Sequence, residues 1–309
     1  MISLKFKLWL ERVDPYYTQR IILRKGLYLA VWLTAINWIA RPDVFAAYAA
    51  TPMLLAGIYE AQSFVSFREK EQALVFAFIA GGIGCVTFYL LFPFKISLMF
   101  FALAHFATLY FVCERYFPKF KPFILQTIVV SALNMATLPA GNLQVAIDMF
   151  FCVMLGLFVT FLAFKFHPNL YARVWQRSFT HYLSSVGAEI GHAINKLDTH
   201  SFAEGARHLN IIRAYRRLLP HNVLRNVTKT TICIRNIQFA LNHIYLKDKD
   251  VLFWSEFQHQ LAEFHLAVST QTPCFMLATN NYAPEFTQDY VIRNLNKSIL
   301  NWNKICALV

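Results

Sequence analysis

Long apolar runs separated by short polar breaks fill the chain from about residue 22 to residue 166. Six windows approach the roughly 20 apolar residues that an α-helix needs to cross a bilayer. They are 22–40, 44–62, 73–93, 96–113, 123–140 and 144–165. Because the breaks are short, the pattern predicts six transmembrane helices arranged as three tight hairpins.

The pattern changes at Phe166-His167-Pro168, after which apolar residues recur at helical spacing among polar ones. Amphipathic stripes start at Trp175, Val223, Phe253 and Val291. We therefore expect an all-α protein, with a cytoplasmic N-terminal segment (1–21), a six-helix transmembrane bundle (22–166) and a cytoplasmic helical bundle (167–309).

Basic residues alternate between the connections of the apolar runs. The inner set is Lys5, Lys7, Arg12, Arg20, Arg24, Lys25, Arg68, Lys70, Arg115, Lys119, Lys121 and Lys165, and the outer set is Arg41 and Lys95. Since cytoplasmic loops carry the excess of Lys and Arg, both termini are predicted to be cytoplasmic. The protein is expected to be a multi-pass protein of the bacterial inner (plasma) membrane.

Composition favours the same class. Hydrophobic residues make up 57% of the chain and charged residues 15%, against about 45–50% and about 25% in soluble domains. The net charge of +12 is accounted for by cytoplasmic loops next to anionic lipid headgroups. The bilayer is therefore the expected partner, and nucleic acid is not.

Polar residues inside apolar runs are functional candidates because they are costly in lipid. Asn37, His105 and Asn134 lie near the middle of their windows, whereas Glu60 and Asp148 lie nearer the ends, where water is expected to reach them. Two interpretations stay open: hydrogen bonding between helices, and contact with a substrate or proton.

Two groups of basic residues are further candidates. Arg24 and Lys25 open the first apolar run and either focus an anion toward a pore or anchor the helix by snorkelling. Arg213, Arg216 and Arg217 belong to the densest basic stretch of the cytoplasmic part. They are predicted to contact anionic lipid or an organic anion.

No chemistry beyond binding is indicated. Two Glu-x-x-His pairs, Glu189 with His192 and Glu256 with His259, lack the additional inward carboxylates of a di-iron bundle. The six cysteines form no CxxC pair, and nucleophile motifs are missing from the sequence. We expect neither an enzyme nor a bound metal or cofactor.

Several motifs resemble one repeat of the fusaric acid resistance and aromatic acid exporter family, whose six-helix plan is shared by aluminium-activated malate transporters. They are Arg20-x-x-x-Arg24, then Leu155-Gly156-Leu157-Phe158-Val159 at the end of the sixth run, and Phe166-His167-Pro168 before the helical domain.

The resemblance implies an exporter of aromatic or other small organic acids. Many relatives carry two repeats and this chain carries one, so the resemblance implies a homodimer, with a periplasmic or membrane-fusion partner as a further implication. Arg24 and Lys25 would attract the anion, while Asn37, His105, Asn134 and Asp148 would line or gate its route. A membrane-anchored helical scaffold without transport activity is the alternative.

Overall fold

The computed structural model describes residues 2–43, 48–49, 52–53, 56–57, 59–60, 64–120, 124, 143–195, 202–244, 250–275 and 286–308. In this part of the chain all regular secondary structure is helical, which confirms the all-α class. The chain divides into two compact units. The central unit is residues 19–169, and the C-terminal unit joins residues 1–18 to residues 170–309.

The C-terminal unit contains six longer helices among its described residues. They are α1 (Ile2–Val13), α6 (Tyr171–Ile194), α7 (Phe202–Tyr215), α8 (His221–Ile244), α9 (Val251–Thr270) and α10 (Phe286–Cys306), with a 3₁₀ turn at Arg216–Leu218. Helix α6 packs against α7 and α9, and α8 packs against α10. Domain borders were predicted between residues 21 and 22 and between residues 166 and 167. The chain instead passes from one unit to the other between residues 18 and 19 and between residues 169 and 170.

The predicted amphipathic stripes of this unit form its core. On α6, Trp175, Phe179 and Tyr182 are at most 3% exposed, because residues three and four apart share one helix face. The Phe179 ring lies 5.1 Å from the Trp175 ring and 6.2 Å from the Phe264 ring of α9. Buried aromatic side chains therefore join α6 to α9.

Side chains also complete the backbone hydrogen bonding where α9 ends. The Asn303 amide of α10 accepts from the Cys274 N–H at 2.8 Å and donates to the Cys274 carbonyl at 2.6 Å. The Trp302 indole N–H donates to the Thr272 carbonyl at 2.9 Å. Residues 272–274 are thereby bound to α10 despite having no regular structure.

The central unit contains α2 (Thr18–Ala40), α3 (Phe67–Leu91), α4 (Lys95–Tyr116) and α5 (Leu143–Phe166), with a 3₁₀ turn at Pro118–Phe120. Helix α3 packs against both α4 and α5. Windows 44–62 and 123–140 lie largely outside the described residues.

Gly156 of α5 allows a close approach of the backbone. A methyl group at Gly156 would lie 2.2 Å from the Tyr48 carbonyl oxygen and 3.1 Å from the Pro52 ring. Tyr48 is fully buried, and its hydroxyl donates to the Leu33 carbonyl of α2 at 2.9 Å. The absence of a side chain at Gly156 is therefore what lets the Tyr48 backbone approach α5 so closely.

Within the described residues, two helices are long and apolar enough to cross a membrane, Lys95–Tyr116 and Leu143–Phe166. For α4, 11% of the most apolar 18-residue stretch is buried, which is unlike a core helix of a soluble protein. These two helices suggest membrane association. They do not establish the six predicted spans.

Large apolar side chains lie on the outer faces of α2, α3, α4 and α5, the helices described in the central unit. Exposed residues follow helical spacing, as in Leu23, Leu27, Val31 and Trp38 of α2; Val75, Ile79 and Ile83 of α3; Ile96, Phe100, Leu103 and Phe111 of α4; and Ile147, Phe151 and Phe158 of α5. A soluble monomer rarely exposes continuous apolar surface of this kind. Lipid is the solvent that such faces match.

The aromatic core of the C-terminal unit generates the first prediction. Phe179→Ala is expected to lower the free energy of unfolding by about 3–5 kcal/mol, because it removes a fully buried ring and leaves a cavity. Phe275→Ala is the control, since that side chain is 95% exposed. Urea unfolding of the full chain in detergent, followed by tryptophan fluorescence, measures both. Equal effects of the two substitutions would contradict this description of the core.

Candidate functional site

Three charged side chains meet in the interior of the central unit. The Glu60 carboxylate accepts a short hydrogen bond from the Lys25 ammonium through Oε1, and its Oε2 accepts from the Lys70 ammonium at 3.1 Å. The side chains are between 1% and 5% exposed. We call Lys25, Glu60 and Lys70 the Lys-Glu-Lys cluster.

Aromatic rings border the cluster. The Lys25 nitrogen lies 4.8 Å from the centre of the Tyr59 ring and 5.8 Å from that of Phe164, and the Lys70 nitrogen lies 5.0 Å from the Tyr59 ring. These distances are typical of cation–π attraction, which strengthens away from water. The Tyr59 and Phe164 rings are themselves 4.5 Å apart. The two ammonium groups therefore have both a carboxylate and aromatic rings as neighbours.

The cluster brings two buried ammonium groups to one carboxylate. Burial makes each charge costly and weakens the screening by solvent, so the ammonium groups act strongly on any anion that comes near. The arrangement suits electrostatic binding of an anion.

Lys70 is positioned by the start of α3. Ser66 and Glu69 form a capping arrangement: the Glu69 N–H donates to Ser66 Oγ at 3.3 Å, and Glu69 Oε2 accepts from the Val65 N–H at 2.9 Å. The Lys70 N–H donates to the Ser66 carbonyl at 3.1 Å. Lys70 thus lies in the first turn of α3, where the helix dipole adds positive potential.

A second ion pair joins two connections that were predicted to be on the inner side. The Lys119 ammonium donates to Glu69 Oε1 at 2.7 Å. Beside it, the Phe120 ring lies 5.5 Å from the Phe117 and Phe76 rings and 5.6 Å from the Phe64 ring. These contacts link the residues before α3 to those after α4.

Of the predicted pathway residues, Lys25 alone belongs to the cluster. Its neighbour Arg24 is exposed, Asn37 is half-buried farther along α2, and Asp148 is half-buried in α5. Asn134 lies outside the described residues. The expectation that water reaches Glu60 is wrong, because Glu60 is 4% exposed. Its two lysine partners compensate its charge inside the protein.

His105 lies in an aromatic environment on α4. Its ring is 5.6 to 5.9 Å from the rings of Phe88, Phe101 and Phe106. A methyl group at Gly84 of α3 would lie 3.1 Å from His105 Nε2. The missing side chain at Gly84 therefore makes room for the imidazole. His105 therefore packs between α3 and α4, and its role on the substrate route stays a prediction.

Of the three arginines predicted to contact lipid or an anion in the C-terminal unit, two line the same cavity. Arg213 and Arg216 line a cavity of about 50 Å³ with Arg235 of α8. Arg213 and Arg235 also line a neighbouring cavity of about 250 Å³ with Gln238. Arg217 is exposed. The Arg235 guanidinium lies 5.0 Å from the Phe239 ring, so α8 supplies a basic residue that was not among the predicted contacts.

The sequence predicts Glu60 as a functional candidate, because it is a carboxylate in an apolar run, but does not place it on the substrate route. It predicts Lys70 only as one of the inner loop charges. A signal was present, since a lone carboxylate in an apolar helix needs a cation. Lys70 was hidden within Arg68-Glu69-Lys70-Glu71, where four successive residues are charged.

No protein-family model and no curated protein matches this chain. Among the described residues, no group of three or more His, Cys, Asp or Glu side chains is arranged to hold a metal ion. The exporter resemblance therefore rests on the quoted motifs alone. Membership of the exporter family is therefore a proposal.

The substitution Glu60→Gln tests whether the stability of the central unit depends on the cluster. The variant leaves two ammonium groups buried without their carboxylate, so we expect a loss of roughly 3–5 kcal/mol in stability. Glu71→Gln is the matched control, because Glu71 is exposed on the same helix that carries Lys70. Unfolding of purified protein in detergent measures both, and a Glu60→Gln variant as stable as the control would refute this dependence.

The Glu69 cap predicts a pH effect. The hydrogen bond from Lys119 lowers the pKa of the Glu69 carboxyl below its ordinary value of 4.5. The ionised form is therefore favoured in the folded protein. Its contribution is fully present above the unfolded pKa and is lost as the pH falls through the folded pKa.

Glu69→Gln should accordingly lower stability by about 1 kcal/mol at pH 7, and the difference from wild type should shrink below pH 4.5. Unfolding midpoints measured between pH 3 and pH 7 provide the check. A difference that stays constant over this range would show that the Glu69 charge is not involved.

Proposed function

We propose that this protein is a membrane transporter subunit that moves small organic acids, with the Lys-Glu-Lys cluster as an anion-attracting element of the route. The supporting observation is a pair of buried ammonium groups that share one carboxylate beside aromatic rings, in a unit with apolar outer faces. A carboxylate would be attracted by the ammonium groups, and the Tyr59 and Phe164 rings offer flat apolar contact for an aromatic acid.

The membrane arrangement belongs to the same proposal. Six spans in the inner membrane, with both termini cytoplasmic, account for the six apolar windows and for the distribution of basic residues. On this orientation Lys25, Glu60 and Lys70 lie toward the cytoplasmic ends of their helices. An anion leaving the cytoplasm would meet the cluster early on its route.

Homodimer formation is proposed from the resemblance, in which two six-helix units build one pathway. The export direction and a periplasmic or membrane-fusion partner are proposed on the same basis. The exposed apolar stripes of α2 to α5 provide surface for lipid and for a second copy.

Transport is tested with purified protein in liposomes and radiolabelled benzoate as the aromatic acid. Lys25→Met is the decisive variant, because it removes one of the two buried ammonium groups and keeps the Lys70–Glu60 ion pair. We expect flux to fall at least tenfold, because the barrier for the anion rises by 1.4 kcal/mol or more. Lys165→Met, which alters an exposed lysine of α5, should retain most of the flux.

The outcomes distinguish a transporter from a membrane-anchored scaffold. Wild-type flux equal to that of empty liposomes would contradict transport and favour a membrane-anchored scaffold. Wild-type flux that Lys25→Met leaves unchanged would remove the cluster from the route. Unfolding in detergent should show Lys25→Met to be more stable than Glu60→Gln, so that loss of flux is not mistaken for loss of fold.

A further inference from the structure

The C-terminal unit contains a polar cavity of about 610 Å³. Its walls come from one face of α6, from the C-terminal end of α9, and from the residues at the end of α1 and just after it. We infer that this cavity binds a small hydrophilic anion that carries a carboxylate or phosphate group. The inference is independent of the transport proposal, because every residue involved lies in the C-terminal unit.

The basic residues of the cavity share one helix face. Arg173, Arg177 and His181 are four residues apart on α6, and all three line the cavity. Such spacing places successive side chains above one another. Two guanidinium groups therefore border one cavity. Guanidinium binds carboxylate and phosphate oxygens through paired hydrogen bonds.

Arg177 is held by two contacts that leave room for a ligand. Its guanidinium lies 5.5 Å from the Tyr17 ring, and its nearest Glu11 oxygen is 3.8 Å away. That distance is too long for a hydrogen bond, and both side chains are more than a third exposed. Glu11 is thus a weak partner that a ligand anion can displace.

The backbone at Tyr17 is strained. Tyr17 has a φ of 68°, in the left-handed region that costs a residue with a side chain about 1–2 kcal/mol. The strained turn brings its ring against Arg177, on the wall of the cavity. Strain of this kind persists where the surroundings enforce it and is concentrated at binding sites.

Hydrogen bonds hold the polar residues of α6 against the end of α9, which forms the facing wall. The Gln176 side chain donates to the Val268 carbonyl at 2.7 Å and accepts from the Gln271 amide at 2.5 Å. The Thr180 hydroxyl donates to the Gln176 carbonyl at 2.9 Å. The Ser269 and Thr270 hydroxyls likewise donate to the Leu266 carbonyl. The guanidinium groups of Arg173 and Arg177 are therefore the donors that an anion would bind.

The test titrates the full chain in detergent with orthophosphate or with citrate, using isothermal calorimetry and chloride at matched ionic strength as the reference. The two titrations distinguish a phosphate ligand from a carboxylate ligand. We expect saturable binding of at least one of them. Arg177→Gln should weaken it about tenfold or more, because a charge-assisted hydrogen bond is lost.

Glu11→Gln should have the opposite effect and tighten binding about two- to fivefold, since it removes a competing carboxylate. Arg217→Gln, an exposed arginine that does not line the cavity, is the matched control and should bind like wild type. Binding indistinguishable from chloride, an Arg177→Gln variant equal to wild type, or a Glu11→Gln variant that binds more weakly would each overturn the inference. The tightening by Glu11→Gln cannot arise from impaired folding.

Discussion

The Glu60 carboxylate, shared between Lys25 and Lys70, is the interaction on which the central unit depends. Three charges are removed from water, and each is tolerable only while the others stay within reach. This requirement fixes α2 and the first turn of α3 against the segment that carries Glu60. The capping residues Ser66 and Glu69, the Lys119 ion pair and the nearby phenylalanine rings then hold the start of α3 in place. Aromatic packing around Tyr59 and Phe164 excludes the water that would otherwise screen the cluster.

The two units bury their apolar residues differently. In the C-terminal unit, stripes such as Trp175, Phe179 and Tyr182 turn inward and form an aromatic core. In the central unit, the core around Tyr48 and Met149 is accompanied by further apolar stripes on the outer faces. The same helical periodicity therefore produces inward-facing stripes in one unit and additional outward-facing stripes in the other. The chain passes from the strained turn at Tyr17 directly into α2, the helix that carries Lys25.

Helices and core faces were predictable because their signals are local. The spacing of Trp175 and its successors defines a helix face without knowledge of any partner. The Lys-Glu-Lys cluster was not predictable in this way. Lys25 and Glu60 are 35 residues apart in sequence, and helical register decides that Lys70 is buried while its neighbours Glu69 and Glu71 are not. The grouping of residues 1–18 with the C-terminal unit is likewise a tertiary property, for which the sequence has no periodic signal.

The central claim is that the buried ammonium groups of the cluster attract an organic anion within the membrane. Charge displacement on solid-supported membranes tests it most directly, because binding of an anion inside the protein moves charge even before turnover. A benzoate concentration jump should produce a saturable negative displacement in wild type, absent in Lys25→Met and retained in Lys165→Met. A wild-type signal equal to that of protein-free membranes, or an unchanged signal in Lys25→Met, would contradict the account.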